Sequence, residues 1–207
     1  MLDLRVPLLP ADQGEPLRHE EYGRDFRTRR AALRDSESWK LERRQHFEEL
    51  ASPSREALRQ GDWPEVLRQF EALRDASRQI ASTDTRHRSP FRRLRVVEEP
   101  LTPYVQWELY WLRMRAEVGN PTRVLLADAV SAAEEQGRLP EMVVLGGRTL
   151  YQVLYSEAGA PSGATRWTDP DVVGPWDAYI RDAYAQAEDV LSYFDRVVAP
   201  LPPPPAA

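Results

Sequence analysis

Residues 91–126 read FRRLRVVEEPLTPYVQWELYWLRMRAEVGNPTRVLL. Phe91, Leu94, Val96 and Val97 alternate, imperfectly, with Arg92, Arg93 and Arg95, which predicts a strand. Glu98-Glu99-Pro100 ends it, and Thr102-Pro103 opens a helix that continues to about Val118. Tyr104, Trp107, Trp111, Met114 and Val118 share one stripe of that helix, and Val105, Leu109 and Leu112 widen it. A helix this apolar belongs in an interior. Gly119-Asn120-Pro121 stops it before a second short strand, Thr122 to Leu126. Strand, helix, strand in that order calls for a right-handed crossover and a parallel pair.

Working outward toward the C-terminus, residues 128–137 read as a short helix. Met142 to Leu145 and Thr149 to Tyr155 read as strands flanking Gly146-Gly147, which can supply the positive φ angles of a hairpin turn. A turn over Glu157 to Gly163 leads to another strand, Ala164 to Trp167. Gly174-Pro175 then caps a long amphipathic helix that carries Trp176, Ile180, Ala183, Ala187, Val190, Leu191, Phe194 and Val198 on one face. The tail from Pro200 is proline-rich and reads as a frayed, extended terminus.

Toward the N-terminus the pattern is polar. Residues 1–16, broken by three prolines, form an extended lead. Leu17 to Leu50 reads as thinly apolar helix, with Tyr22, Phe26, Leu33, Phe47 and Leu50 at helical spacings and a break near Asp35–Ser38. Ser52-Pro53 and Asp62-Trp63-Pro64 open two further helices, and Ser82 to Pro90 is a basic connector. The expected fold is therefore α+β: a lead (1–16), a helical N-terminal region (17–81), a domain (90–198) with a small mixed sheet against two amphipathic helices, and a proline-rich tail (199–207).

Composition narrows the chemistry. The chain has no Cys, so disulfides and thiolate nucleophiles are excluded. Lys40 is its only lysine, which is the signature of a GC-rich genome, and no glycine-rich loop precedes it. His19, His46 and His87 stand far apart, with no HExxH or His-x-Lys pair, so neither a metal nor a cofactor is expected. Residues 1–125 carry 23 basic and 21 acidic side chains, whereas residues 126–207 carry 5 and 12. That acidic back half argues against direct nucleic-acid binding. No apolar run is long enough for a membrane span, and no signal-peptide pattern opens the chain, so a soluble cytoplasmic protein is expected. Nothing in the sequence sets an oligomeric state.

Residues Arg93-Leu94-Arg95-Val96-Val97-Glu98-Glu99-Pro100-Leu101-Thr102-Pro103-Tyr104, with Glu108 and Leu109, and Tyr179-Ile180-Arg181-Asp182-Ala183-Tyr184 with Tyr193, carry a family resemblance. They resemble an uncharacterised actinobacterial domain-of-unknown-function family often encoded beside helix-turn-helix regulators. The order of elements is also similar to half of a phospholipase-D-like domain, whose catalytic His-x-Lys pair is missing here. The resemblance implies a regulatory protein that binds a helix-turn-helix partner or a small effector, without catalysis.

Three constellations are candidates for ligand or partner contact. Arg86, Arg88, Arg92, Arg93 and Arg95 could grip an anion, guard an edge strand, or pair with the acidic half of the chain. Glu98 and Glu99 lie at a strand end, where open sheets tend to bind ligands, and Glu108 follows on the helix. Glu108 is expected to pair with Arg93 or Arg95. An enzyme of specialised metabolism with a carboxylate and Arg site there is the alternative function. Among Tyr104, Trp107, Tyr110 and Trp111 the tryptophans read as core, and Tyr110, off the main stripe, reads as a partner contact. The thinly apolar N-terminal helices either pack on the same chain or cover a partner.

Overall fold

A computed structural model describes residues 5–49 and 51–206. The first four residues of the extended lead, Leu50 and the last residue of the tail lie outside it. The elements are β1 (Glu15–Arg18), α1 (His19–Ala32), β2 (Ser38–Glu42), α2 (Pro53–Arg59), α3 (Trp63–Ala72), α4 (Arg74–His87) and β3 (Phe91–Val97). They continue with α5 (Pro103–Glu117), β4 (Thr122–Leu126), β5 (Met142–Leu145), β6 (Thr149–Tyr155), β7 (Pro161–Trp167), α6 (Pro170–Gln186), β8 (Glu188–Asp189) and α7 (Val190–Tyr193). The fold is α+β, built on one eight-stranded mixed sheet in the order β1-β7-β6-β5-β2-β3-β4-β8. β2, β3 and β4, the fifth to seventh strands in that order, are parallel, and every other pairing is antiparallel.

Local chemistry starts four of the helices, three of them where the sequence indicates. Ser52, Asp62, Thr102 and Asp169 each accept a backbone N–H with their side chain, and a proline occupies the first turn behind each. A polar side chain satisfies one orphan donor there, and proline has no N–H to leave unpaired. Gly146 and Gly147 both take positive φ, +58° and +63°, in the turn between β5 and β6.

Alternation divides the sheet into two faces. Trp39, Leu41, Leu94, Val96, Met142, Val144 and Leu150 point to one face and pack with Trp176, Ile180 and Ala183 of α6. On the other face, α1 covers Val143, Leu145, Tyr151 and Val153 through Tyr22 and Phe26. Farther along that face α2, α3, α5 and α7 cover Val97 and Val124. Between these two apolar patches the same face carries Lys40, Glu42, Arg93 and Arg95.

Several expectations are corrected. Ser38–Glu42 is a strand at the centre of the sheet, not helix. Its Trp39 and Leu41 alternate with Ser38, Lys40 and Glu42, a period of two that its charges conceal. Strands from the segment read as a helical N-terminal region thus share one sheet with those from 90–198, and that sheet is large, not small. Residues 82–87 continue α4 rather than forming a connector, because Arg88 in the left-handed region (φ +49°) ends the helix only there. The long C-terminal helix begins at Pro170, before Gly174, and is interrupted at Ala187 by β8, which pairs with β4. Residues 127–134 wind as a 3-10 helix. The tail is anchored, since Gln106 Nε2 donates to the Pro202 carbonyl at 2.7 Å and Pro204 is buried. The lead is anchored too: the indoles of Trp167 and Trp176 donate to the carbonyls of Pro10 (2.9 Å) and Leu8 (3.4 Å).

Candidate functional site

The parallel register sets Lys40 beside Arg93 and Glu42 beside Arg95. All four side chains rise from the same face, and α5 crosses above them with Glu108 pointing down. Arg95, with no solvent exposure, donates from Nε to Glu108 Oε2 at 2.7 Å and from Nη1 to the Val96 carbonyl at 3.0 Å. Glu42 is bonded by Lys40 on one oxygen and by Arg93 on the other. Burial alone would raise the Glu42 carboxyl, but the charges of Arg93, Lys40 and Arg95 hold it down at about 2. For Glu108 burial prevails: its carboxyl is pushed up, with Arg95 working against the rise. One carboxylate with three cations and one with a single close cation end on opposite sides of the ordinary value.

A cleft of about 350 Å³ opens over this charged strip. Lys40, Glu42, Arg93 and Glu108 form its floor, while Phe70, Leu73, Trp107 and Trp111 form its walls. Glu49, Ser52 and Ser54 stand at the α2 end. The guanidinium of Arg93 lies 5.2 Å from the Trp111 ring centre and that of Arg115 lies 4.8 Å away. Arg115 has no carboxylate partner among the described residues, only Asn120 Oδ1 at 3.2 Å. Burial and the nearby charge of Arg93 push its guanidinium down to about 10. The Trp107 indole N–H, on a side chain only 5% exposed, has no partner among the described residues.

The strand-end carboxylates lie elsewhere. Glu98 accepts from Arg43 Nη1 at 2.6 Å and from Arg138 Nη2 at 3.3 Å. Arg43 also clasps Glu134 with Nε and Nη2, at 2.7 and 2.8 Å, so the end of β3 is closed by an ion network, not opened to a ligand. Glu99 accepts from the Tyr193 hydroxyl at 2.9 Å. Next to this network Glu141 Oε1 accepts the backbone N–H groups of Arg43 and Arg44 at 2.9 and 2.6 Å. Burial and the charge of Glu42 push its carboxyl up to about 7. A larger hollow of about 620 Å³ lies between the lead and residues 132–140, and the charged side chains on its lining, Arg5, Glu135 and Arg138, are all exposed.

The candidates named from sequence are thus partly gathered. Arg93 and Glu108 meet in the cleft, and Arg95 sits beneath it. Glu98 does not reach it. Tyr104 is buried beside it, its hydroxyl donating to Glu49 Oε1 at 2.9 Å. Tyr110 is wedged edge-on against Trp63 and Phe194, with ring centres 4.7 Å apart in each case. In the basic cluster Arg88 pairs with Asp35, Arg92 with Glu37, Arg93 with Glu42 and Arg95 with Glu108. These acids come from residues 35–108, not from the acidic C-terminal half. The expected pairing of Glu108 is present. Lys40, Glu42 and Trp111 are site residues that the reading of 17–50 as helix, and of the tryptophans as core, passed over. The alternation in Trp39-Lys40-Leu41-Glu42 was the available signal.

Among the described residues no group of three or more His, Asp or Glu side chains is placed to hold a metal ion. No helix among them is long and apolar enough to cross a membrane. No curated protein and no solved structure matches the chain. A family model does match, over residues 25–195, from within α1 to beyond α7, and therefore takes in the whole cleft. The chain belongs to the family of that model, DUF6879, a domain of unknown function.

Proposed function

We propose that the protein is a non-catalytic accessory module that holds a small effector in the cleft over β2 and β3. The observation that carries this reading is the pairing of the cleft floor. Glu42 is bonded by Lys40 and Arg93, and Glu108 by Arg95. A general acid or base has to exchange its proton with a substrate. Carboxylates already committed to two cations, or to a fully buried guanidinium, instead hold a fixed surface. Apolar walls around a few converging polar groups are the usual form of a small-molecule site, and about 350 Å³ suits a compact ligand. The read-out is a helix-turn-helix regulator, the partner class implied by the resemblance of residues 93–109 and 179–193.

The test is a screen of the ¹⁵N-labelled full chain against small polar and aromatic compounds, followed by NMR, with the indole resonances assigned through Trp→Phe variants. Compounds that shift the Trp107 and Trp111 indoles and are recovered unchanged support the reading. A compound converted to product, at a rate abolished by Glu108→Gln in a chain that stays folded, replaces the module by an enzyme. A screen in which nothing moves those resonances overturns it. A binder in hand, the chain is titrated with a helix-turn-helix regulator encoded beside it. No complex at micromolar concentration removes the regulatory role.

A further inference from the structure

We infer that the cleft takes a small organic anion, a carboxylate carried on a flat ring. This rests on the reading of the cleft as a ligand site and adds the chemical class of the ligand.

The first line of argument is charge. The cleft is lined by Lys40 and Arg93 against Glu42, Glu49 and Glu108, and Arg95, Arg115 and Arg55 stand behind the lining, so that five cations face three carboxylates. Arg115 is an unmatched member, since Asn120 gives it an oxygen but no charge. Glu49, at the α2 end, is bonded to the Tyr104 hydroxyl. It faces its own surplus in Arg55, which is buried and has no carboxylate partner among the described residues. Buried cations in excess of carboxylates are costly unless an anion joins them.

The second line is hydrogen-bonding capacity. Both oxygens of Glu42 are occupied and one of Glu108 is. On the donor side, Lys40 spends one of its three N–H groups on Glu42, and Arg93 spends one of its five there. The Trp107 N–H is spent on nothing among the described residues although its side chain is buried at the cleft wall. Two N–H groups of Lys40 and four of Arg93 are thus left unspent at the cleft floor. The group that satisfies them accepts hydrogen bonds and carries negative charge.

The third line is shape. Phe70, Trp107 and Trp111 offer ring surfaces on the walls. Aromatic faces and edges pair best with another flat ring. A carboxylate directed to Lys40 and Arg93 leaves its ring between those walls.

Three probes of one shape test this on the full chain: indole-3-acetate, its neutral amide and the cation tryptamine. Binding is followed by the Trp107 and Trp111 indole N–H resonances, with sodium acetate as the control for a bare anion. The acid is expected to bind with a Kd of about 1 mM or tighter, the range usual for a fragment of this size, and at least tenfold more tightly than the amide, tryptamine or acetate. Lys40→Met should weaken the acid at least tenfold, and Trp111→Leu, which removes a ring from the wall, severalfold, followed by the Trp107 resonance. Thermal melting confirms that both variants fold. Equal or tighter binding of the amide or tryptamine overturns the anion class while leaving a working ligand cleft. Acetate binding as tightly as the acid overturns the role of the ring. If none of the probes moves the two resonances the inference falls, and the wider screen alone then decides whether the cleft binds anything.

Discussion

Glu108→Gln separates the structural role of the cleft floor from a catalytic one. Arg95 has no solvent exposure, and among the described residues Glu108 is the one carboxylate within 4.0 Å of it. Removing one member of such a buried pair strands the other charge, at about 3–5 kcal/mol. Gln keeps an oxygen for Arg95 Nε, and Glu42 still attracts the guanidinium from the neighbouring strand. The lower end, about 3 kcal/mol, is therefore expected, which in a chain of this size is a fall in Tm of roughly 6–12 °C. Arg95→Met should cost less, about 2 kcal/mol, because burial already raises the Glu108 carboxyl and the stranded acid can take up a proton. The double replacement Arg95→Met with Glu108→Leu leaves no stranded charge. It should lie within about 1 kcal/mol of the wild type. Urea unfolding followed by circular dichroism and tryptophan fluorescence measures all three, provided the slope with urea stays constant. A Glu108→Gln chain within about 0.5 kcal/mol of wild type would refute the reasoning.

The remaining predictions concern pH, capping and close packing. Glu141 titrates near 7 when folded and near 4.5 when unfolded, so between those values the native chain holds the extra proton. Stability therefore falls as pH rises through that window, by about 3 kcal/mol. Glu42, held down at about 2, works in the opposite sense, and its contribution is lost as pH falls below about 4.5. Chemical unfolding should accordingly show a maximum near pH 5, and Glu141→Gln should flatten the slope above it; a wild-type curve flat from pH 5 to 7.5 sinks the assignment. Thr102 accepts the Val105 N–H at 3.2 Å and donates to the Gln45 carbonyl at 3.2 Å, so Thr102→Ala should lower stability by about 1 kcal/mol in the same assay. Gly163, at φ +146°, would bring an added Cβ to 2.3 Å from the Leu17 carbonyl oxygen. Gly163→Ala should therefore push β1 off β7, seen as faster amide exchange at Glu15, Leu17 and Arg18; unchanged protection there would show that β1 is held by something else.

The parts of the fold legible in the sequence are those that obey a single period. The strip from Phe91 to Leu126 was readable because its apolar residues are either alternate or helically spaced. Its strands do pair in parallel, and its helix is buried. The β5–β6 hairpin was readable from two adjacent glycines. β2 was not, because in Ser38–Glu42 three of the five residues are polar and all but Lys40 are nonetheless buried. A strand buried on both faces is expected to be apolar on both. The interruption after α6 was also hidden: Ala187, Val190 and Leu191 continue the apolar stripe, and only pairing of Glu188 and Asp189 with β4 bends the chain. For the site, a strand face is visible locally, which is why Arg93, Arg95 and Glu108 were found together. Lys40 and Glu42 complete it from more than 50 residues away in the chain, and separation on that scale leaves no mark on local pattern.

The placement of these charges bears on why the cleft exists at all. On the α6 side, β2 and β3 contribute Trp39, Leu41, Leu94 and Val96 to an ordinary apolar core. On the opposite side the same two strands contribute Lys40, Glu42, Arg93 and Arg95, at the middle of an eight-stranded sheet. Apolar residues of similar volume would hold such a position at least as well, since desolvation offsets most of what a buried ion pair returns. The apolar patches on either side of the strip show that this face can be covered in that way. Stability therefore does not account for the strip. Arg115, half-buried without a carboxylate partner among the described residues, and the indole N–H of Trp107, unpaired among them, sharpen the point, because each is a net cost to the fold. Groups that cost stability and converge on one cleft mark a functional site. Here they share one sign and one hydrogen-bonding sense, both of which an anionic acceptor would satisfy.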